Sequence, residues 1–141
     1  MPMNKHEMIA CVTALADAKN CQNIPRILEI YHPAVEMITP AFASHAYGRA
    51  ETSRQLGYFF RLFPDYTVSV SDYTQKADVL LANGIVTMTP NTTNGTARNA
   101  KVRVTMAFEF KDNAISKEIF NIDLAEVAAQ AGILLDDLLG K

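Results

Sequence analysis

The chain has 141 residues, 49% of them hydrophobic and 20% charged, and its 13 basic and 15 acidic side chains leave a formal net charge of −2. That length suffices for one domain, residues 1–141, to bury its own core without disulfides or metals, and the composition excludes a disordered tail. A near-neutral balance with no Lys/Arg stripe to release counterions from phosphates argues against nucleic acid as a partner.

Along the chain, Met8, Ile9, Val12, Leu15 and Ala16 recur at three- and four-residue steps and predict a helix from Lys5 to Ala18. The segment Asn20 to Asn23 breaks it, Pro25 suits the first turn of a second helix carrying Ile27, Leu28, Ile30 and Tyr31, and His32-Pro33 ends that helix. A short strand is expected over Val35 to Thr39, stopped by Pro40, then a connector from Phe42 to Tyr47. A third helix, Ala50 to Phe63, carries Leu56, Phe59, Phe60 and Phe63 at helical spacing and is closed by Pro64.

After Asp65 the period changes to two. Tyr66, Val68 and Val70 alternate with Thr67, Ser69 and Ser71, and Val79 to Thr89 reads as a central strand that Gly84 bends by a bulge or a tight curve. Pro90 to Asn99 reads as a mobile, solvated hairpin loop. Lys101 to Lys111 alternates as Val102, Val104, Met106, Phe108 and Phe110; Asp112-Asn113 turns into a strand from Ala114 to Ile122; Leu124 to Leu139 closes as a helix with Gly132 as its point of interruption. Helices followed by a run of antiparallel strands is an α+β arrangement, in which one curved sheet wraps over helices and encloses a pocket.

Cys11 and Cys21, ten residues apart, match neither a CxxC redox pair nor a zinc knuckle, and ordinary buried thiols in a reducing compartment are expected. The stretch Met1 to Glu7 lacks the apolar core of a signal peptide, and no run approaches the roughly 18 apolar residues of a membrane span, so a cytoplasmic protein with no membrane partner is expected. No GxxxxGK[ST], HExxH or GxSxG motif occurs, which removes phosphate-loop, zinc-protease and hydrolase-elbow chemistry from consideration.

Several motifs together resemble one family. Tyr31-His32-Pro33, Gly48-Arg49-Ala50-Glu51, Asp65 after Phe63-Pro64, and Ile115-Ser116-Lys117-Glu118 leading to Asp123 and Gln130-Ala131-Gly132 are similar to the SnoaL-like polyketide cyclases of the nuclear transport factor 2-like superfamily. The resemblance runs from about Ala14 to Ile133 and implies a cystatin-like half-open cone, a curved antiparallel sheet packed on N-terminal helices. It also implies a deep apolar pocket for a small organic ligand, no metal or organic cofactor, and a homodimer or homotetramer built on the outer sheet face. In cyclases of this kind an acid drives an intramolecular aldol closure of a polyketide ester, and Asp123 stands where the pattern places it. Those enzymes pair the acid with a histidine on the penultimate strand; Lys101 to Lys111 has none, which leaves Glu109 as the nearest polar inward candidate and Asn121 or Asp123 to supply the polar group.

Aldol chemistry requires a base beside a carbonyl and a donor for the oxyanion, and a carboxyl against an apolar wall serves best because burial raises its pKa toward neutrality. Ketosteroid isomerase, which shares the cone, is the general precedent for such tuning. Asp123, between Ile122 and Leu124, is the acid/base candidate, although an Asp before a helix with Glu126 three residues on is also a capping box. His45 and Tyr47 lie where a cone places its pocket mouth, His45 as a proton shuttle and Tyr47 as a donor, or both as surface residues. Phe42, Tyr58, Phe59, Phe63, Met88, Met106 and Phe108 are pocket-wall candidates as well as core residues. Glu109 beside Arg103 and Lys101 suits exposed cross-strand pairs on the convex face or an oligomer interface. Three readings stay open: a cofactor-independent cyclase, isomerase or lyase acting on a small apolar carbonyl compound, with Asp123, Asn121 and His45 as its catalytic groups; a non-catalytic ligand-binding or dimerisation module of the same fold; and a purely structural interaction domain whose pocket is filled by its own side chains.

Overall fold

The first two helices begin where the sequence supplies a side-chain cap. In the computed structural model, which describes residues 3–92 and 95–139, the Asn4 side chain accepts from the Glu7 N–H at 2.8 Å and the Glu7 side chain accepts from the Asn4 N–H at 3.0 Å. This reciprocal box opens α1 (Lys5–Asn20), whose inward stripe is Met8, Val12, Leu15 and, one turn on, Lys19. Asn23 caps α2 (Ile24–Ile30), with Pro25 in the first turn.

The next strand, β1 (Tyr31–Thr39), starts earlier than the proline led us to expect. Pro33 falls between Tyr31 and Glu36, where the register against the neighbouring strand shifts, so no ladder bond is lost to its missing N–H. A 3₁₀ turn at Pro40–Phe42 leads through Ala43, in the left-handed region at φ 53°, into β2 (Ser44–Tyr47). The expected connector is thus an edge strand, too short to show a period in sequence and defined by its antiparallel pairing with β1. Next come α3 (Gly48–Leu62), β3 (Thr67–Lys76), β4 (Val79–Met88), β5 (Ala100–Lys111), β6 (Ala114–Asn121), α4 (Leu124–Ala131) and α5 (Leu135–Leu139). Gly132, at φ 75°, separates the last two helices.

Among the described residues the strands form one mixed sheet in the order β2-β1-β6-β5-β4-β3. It is not antiparallel throughout: β1 and β6 run parallel, a pairing permitted by the long crossover through β2, α3 and β3 to β5. As expected, β4 is an interior strand, paired with β5 on one side and with the edge strand β3 on the other. Its register runs unbroken through Gly84, where an added Cβ would stand 2.9 Å from both the Met106 Cε and the Ser69 carbonyl oxygen. Gly84 therefore serves close packing, and the irregularities that help curve the sheet lie in β1, in β3 between Ser71 and Thr74, and between β5 and β6. Helix α3 packs on β1, α1 on β3 and α4 on β5, leaving a half-open cone.

Of the expected loop Pro90–Asn99, Thr93 and Asn94 lie outside the described residues; its limbs are tied down, the Asn91 N–H donating to the Leu62 carbonyl at 2.8 Å and the Arg98 N–H to the Ala131 carbonyl at 2.9 Å. The cysteine expectation needs correction: Cys21 is exposed where α1 ends, and Cys11 is half-buried, its thiol pushed up by burial and by Glu7. Among the described residues no helix is long and apolar enough to cross a membrane.

Candidate functional site

The cone opens into a cavity of about 440 Å³, inside the range of roughly 300–1,000 Å³ typical of small-molecule sites. Its walls are aromatic. Phe42 and Phe59 meet edge to face at 6.2 Å, Phe59 and Tyr66 at 4.9 Å, and Phe60 and Phe120 continue the apolar surface. Leu138 and Leu139 of α5 close one side, and the exposed residues His45, Gln55 and Tyr58 mark the mouth.

The buried end of this cavity is polar and centres on Glu118. Register with β5 places Lys117 opposite Glu109 and Ile115 opposite Phe110, so Ser116 is an extra residue that reverses the alternation of β6. Glu118 and Phe120 consequently face inward, with Met37 and Phe108 beside Glu118 on the flanking strands. Its side chain is 1% exposed, and each of its oxygens has one partner. Lys19 donates to Oε2 at 2.7 Å, and the Tyr31 hydroxyl donates to Oε1 in a short hydrogen bond. The Lys19 ammonium also lies 5.9 Å from the centroid of the Phe120 ring.

Burial, and then the charge and hydrogen bond of Glu118, push the Tyr31 phenol well above its ordinary value. The Tyr66 phenol is raised by the same two causes, burial first and the Glu118 charge second. Both rings therefore remain neutral donors. Tyr31 uses its proton on Glu118, whereas the Tyr66 hydroxyl makes no hydrogen bond within the described residues. A carboxylate, an ammonium and an unengaged phenol thus converge on an apolar chamber, the set of groups that proton transfer beside a carbonyl requires. Among the described residues no cluster of three or more His, Cys, Asp or Glu could hold a metal ion.

The expected site residues divide. Phe42, Tyr58, Phe59 and His45 line the cavity. Phe63 and Met88 are sealed in the core, and Met106 and Phe108 back onto α1 beside Val12 and Leu15, because the inner sheet face there is covered by that helix. Tyr47 lies outside, 55% exposed, with its ring stacked on His45 at 4.1 Å. Both His45 nitrogens have surface partners, Nδ1 at 3.2 Å from the Tyr47 hydroxyl and Nε2 at 3.2 Å from Glu36. Asp123 does not reach the cavity: it is exposed and caps α4, accepting from the Glu126 N–H at 3.2 Å. Asn121 points outward at the end of β6. Glu109 is exposed, and its charged partner is Lys117 across on β6, at 3.8 Å, in place of Arg103 or Lys101.

Sequence reasoning missed Lys19, Tyr31, Tyr66 and Glu118. The helical stripe Met8, Val12, Leu15 extends to position 19 at the same spacing and marked Lys19. Counting back in twos from Phe120 marked Glu118.

The SnoaL-like domain profile matches residues 12–118. No curated protein sequence matches the chain. Among solved structures, a protein with a ketosteroid isomerase-like fold from Catenulispora acidiphila DSM 44928, in complex with trimethylamine, is 17% identical, with a TM-score of 0.82 over 89% of this chain and 95% of that one. A protein assigned as a SnoaL-like polyketide cyclase from Jannaschia sp. CCS1 is 15% identical with a TM-score of 0.78, covering 93% and 96% of the two chains. IdmH, assigned as a polyketide cyclase from Streptomyces antibioticus, is 18% identical with a TM-score of 0.74, covering 89% and 98%. A profile spanning most of the sequence makes this chain a member of the SnoaL-like family, and its likeness to solved structures gives it the nuclear transport factor 2-like fold.

Proposed function

We propose that the chain is a cofactor-independent enzyme of the cyclase or isomerase type, acting by acid/base chemistry on a small, largely apolar carbonyl compound held in the cavity. The observation that supports this most is the buried Glu118 carboxylate facing the chamber beside two donors, Lys19 and Tyr66. Glu118 acts as the base at a carbon next to the carbonyl, and Tyr66 and Lys19 stabilise the oxygen on which negative charge develops. The acid/base role moves from Asp123, held on the surface by its capping bond, to Glu118.

A substrate-independent test is deuterium uptake from heavy water into 2-tetralone, a bicyclic enolisable ketone, followed by proton NMR. The wild-type chain is expected to exceed the buffer rate, Glu118→Gln to lose about 100-fold or more of that excess, and Asp123→Asn to keep it. Loss in Asp123→Asn with retention in Glu118→Gln returns the role to Asp123. That each Glu118 oxygen already accepts one hydrogen bond, from Tyr31 or Lys19, favours a second reading, a ligand-binding module without turnover, which predicts binding of the ketone with no exchange.

The reading extends to self-association through the outer sheet face. There Ile38, Ile119, Ala107 and Leu81 stand in register across four strands, and Leu81 and Ile85 are 41% and 42% exposed.

A further inference from the structure

The polar end of the cavity balances its own charge. Lys19 and Glu118 touch at 2.7 Å with side chains 11% and 1% exposed, so the pair is close to neutral as a unit and largely removed from water. Among the described residues no other Asp, Glu, Lys or Arg lines the cavity, and His45 at the mouth is turned to Glu36 and Tyr47. An anionic ligand meets Glu118 or must take Lys19 from it, which strands a buried carboxylate; a cationic ligand faces the converse. What the buried Lys19–Glu118–Tyr66 end lacks is an acceptor for its remaining donors. The Tyr66 hydroxyl, on a residue 3% exposed, makes no hydrogen bond among the described residues, and Lys19 has donors beyond the one it gives Glu118.

We infer that Tyr66 selects the ligand of this site: an uncharged ring compound whose acceptor oxygen takes the unused Tyr66 proton, while carboxylates and amines of the same shape are rejected by the self-paired Lys19–Glu118 end. The inference rests on the reading of the cavity as a ligand site but not on turnover. Tyr31 cannot substitute, since its proton is held by Glu118. The aromatic walls admit all such rings alike and the lining residues Thr39, Ser44 and Gln55 carry no charge, so discrimination by charge falls to the buried end.

The test is NMR titration of the isotope-labelled full chain with four probes of one size: acetophenone, ethylbenzene, benzoate and benzylammonium. Acetophenone is expected to bind about tenfold tighter than ethylbenzene, from which it differs by the carbonyl, and at least about tenfold tighter than either charged probe. Tyr66→Phe is expected to bring acetophenone down to the ethylbenzene level and leave ethylbenzene unchanged. Benzoate or benzylammonium binding as tightly as acetophenone overturns the inference, as does equal binding of acetophenone and ethylbenzene or no shift with acetophenone. These comparisons use the unaltered chain, so they stand even if the variant fails to fold. Acetophenone selectivity without exchange into 2-tetralone removes the enzyme reading alone; exchange with a preference for benzoate removes the Tyr66 inference alone.

Discussion

Two buried phenols and one buried carboxylate make the cavity sensitive to alkali. Tyr31 and Tyr66 keep their protons in the folded chain beyond the pH at which an unfolded phenol releases them, about 10. Above that pH the unfolded state binds fewer protons than the folded one, so stability is fully present below about pH 10 and falls as pH rises, with a limiting slope near 3 kcal/mol per pH unit for two such groups. Urea unfolding from about pH 8 to about pH 11 should show this fall, and Tyr66→Phe should lessen its steepness. An equal slope in the variant would mean that Tyr66 ionises freely while folded. At this scale the sequence was hard to read for a local reason. A glutamate between Lys117 and Ile119 looks like an outward position when alternation is counted from Ile115, and only the extra residue at Ser116 turns it inward. Asp123 was legible as a cap, and the cap is the role its geometry displays.

Between elements, the Lys19–Glu118 pair joins the end of α1 to the middle of β6, 99 residues apart in sequence. Removing one partner leaves the other charge buried, so Lys19→Met is expected to lower unfolding stability by about 3–5 kcal/mol, and Lys19→Met with Glu118→Leu to recover most of it. Chemical denaturation of both variants checks this, and a single variant as stable as wild type would show that water or a shifted side chain compensates Glu118. Helix and strand identities were largely legible, since α1, α3, β4 and β5 follow their hydrophobic periods closely. The short elements were not: β2 has too few residues for a period, and β1 contains a proline that local rules place outside a strand.

For the whole molecule, the apolar row on the outer sheet face predicts self-association. Sedimentation of the wild-type chain is expected to show a dimer or tetramer, and Leu81→Lys with Ile85→Lys to shift it toward monomer; a monomeric wild type at high concentration would remove that proposal. The α+β class was determined by the sequence alone, because hydrophobic period and turn residues act over a few neighbours, and the half-open cone was legible there only through the family resemblance. Tertiary structure alone decided the parallel β1–β6 pairing, the inward turn of Glu118 and its meeting with Lys19, Tyr31 and Tyr66. Those features depend on strand register and on charges brought together from distant segments, which a local pattern does not encode.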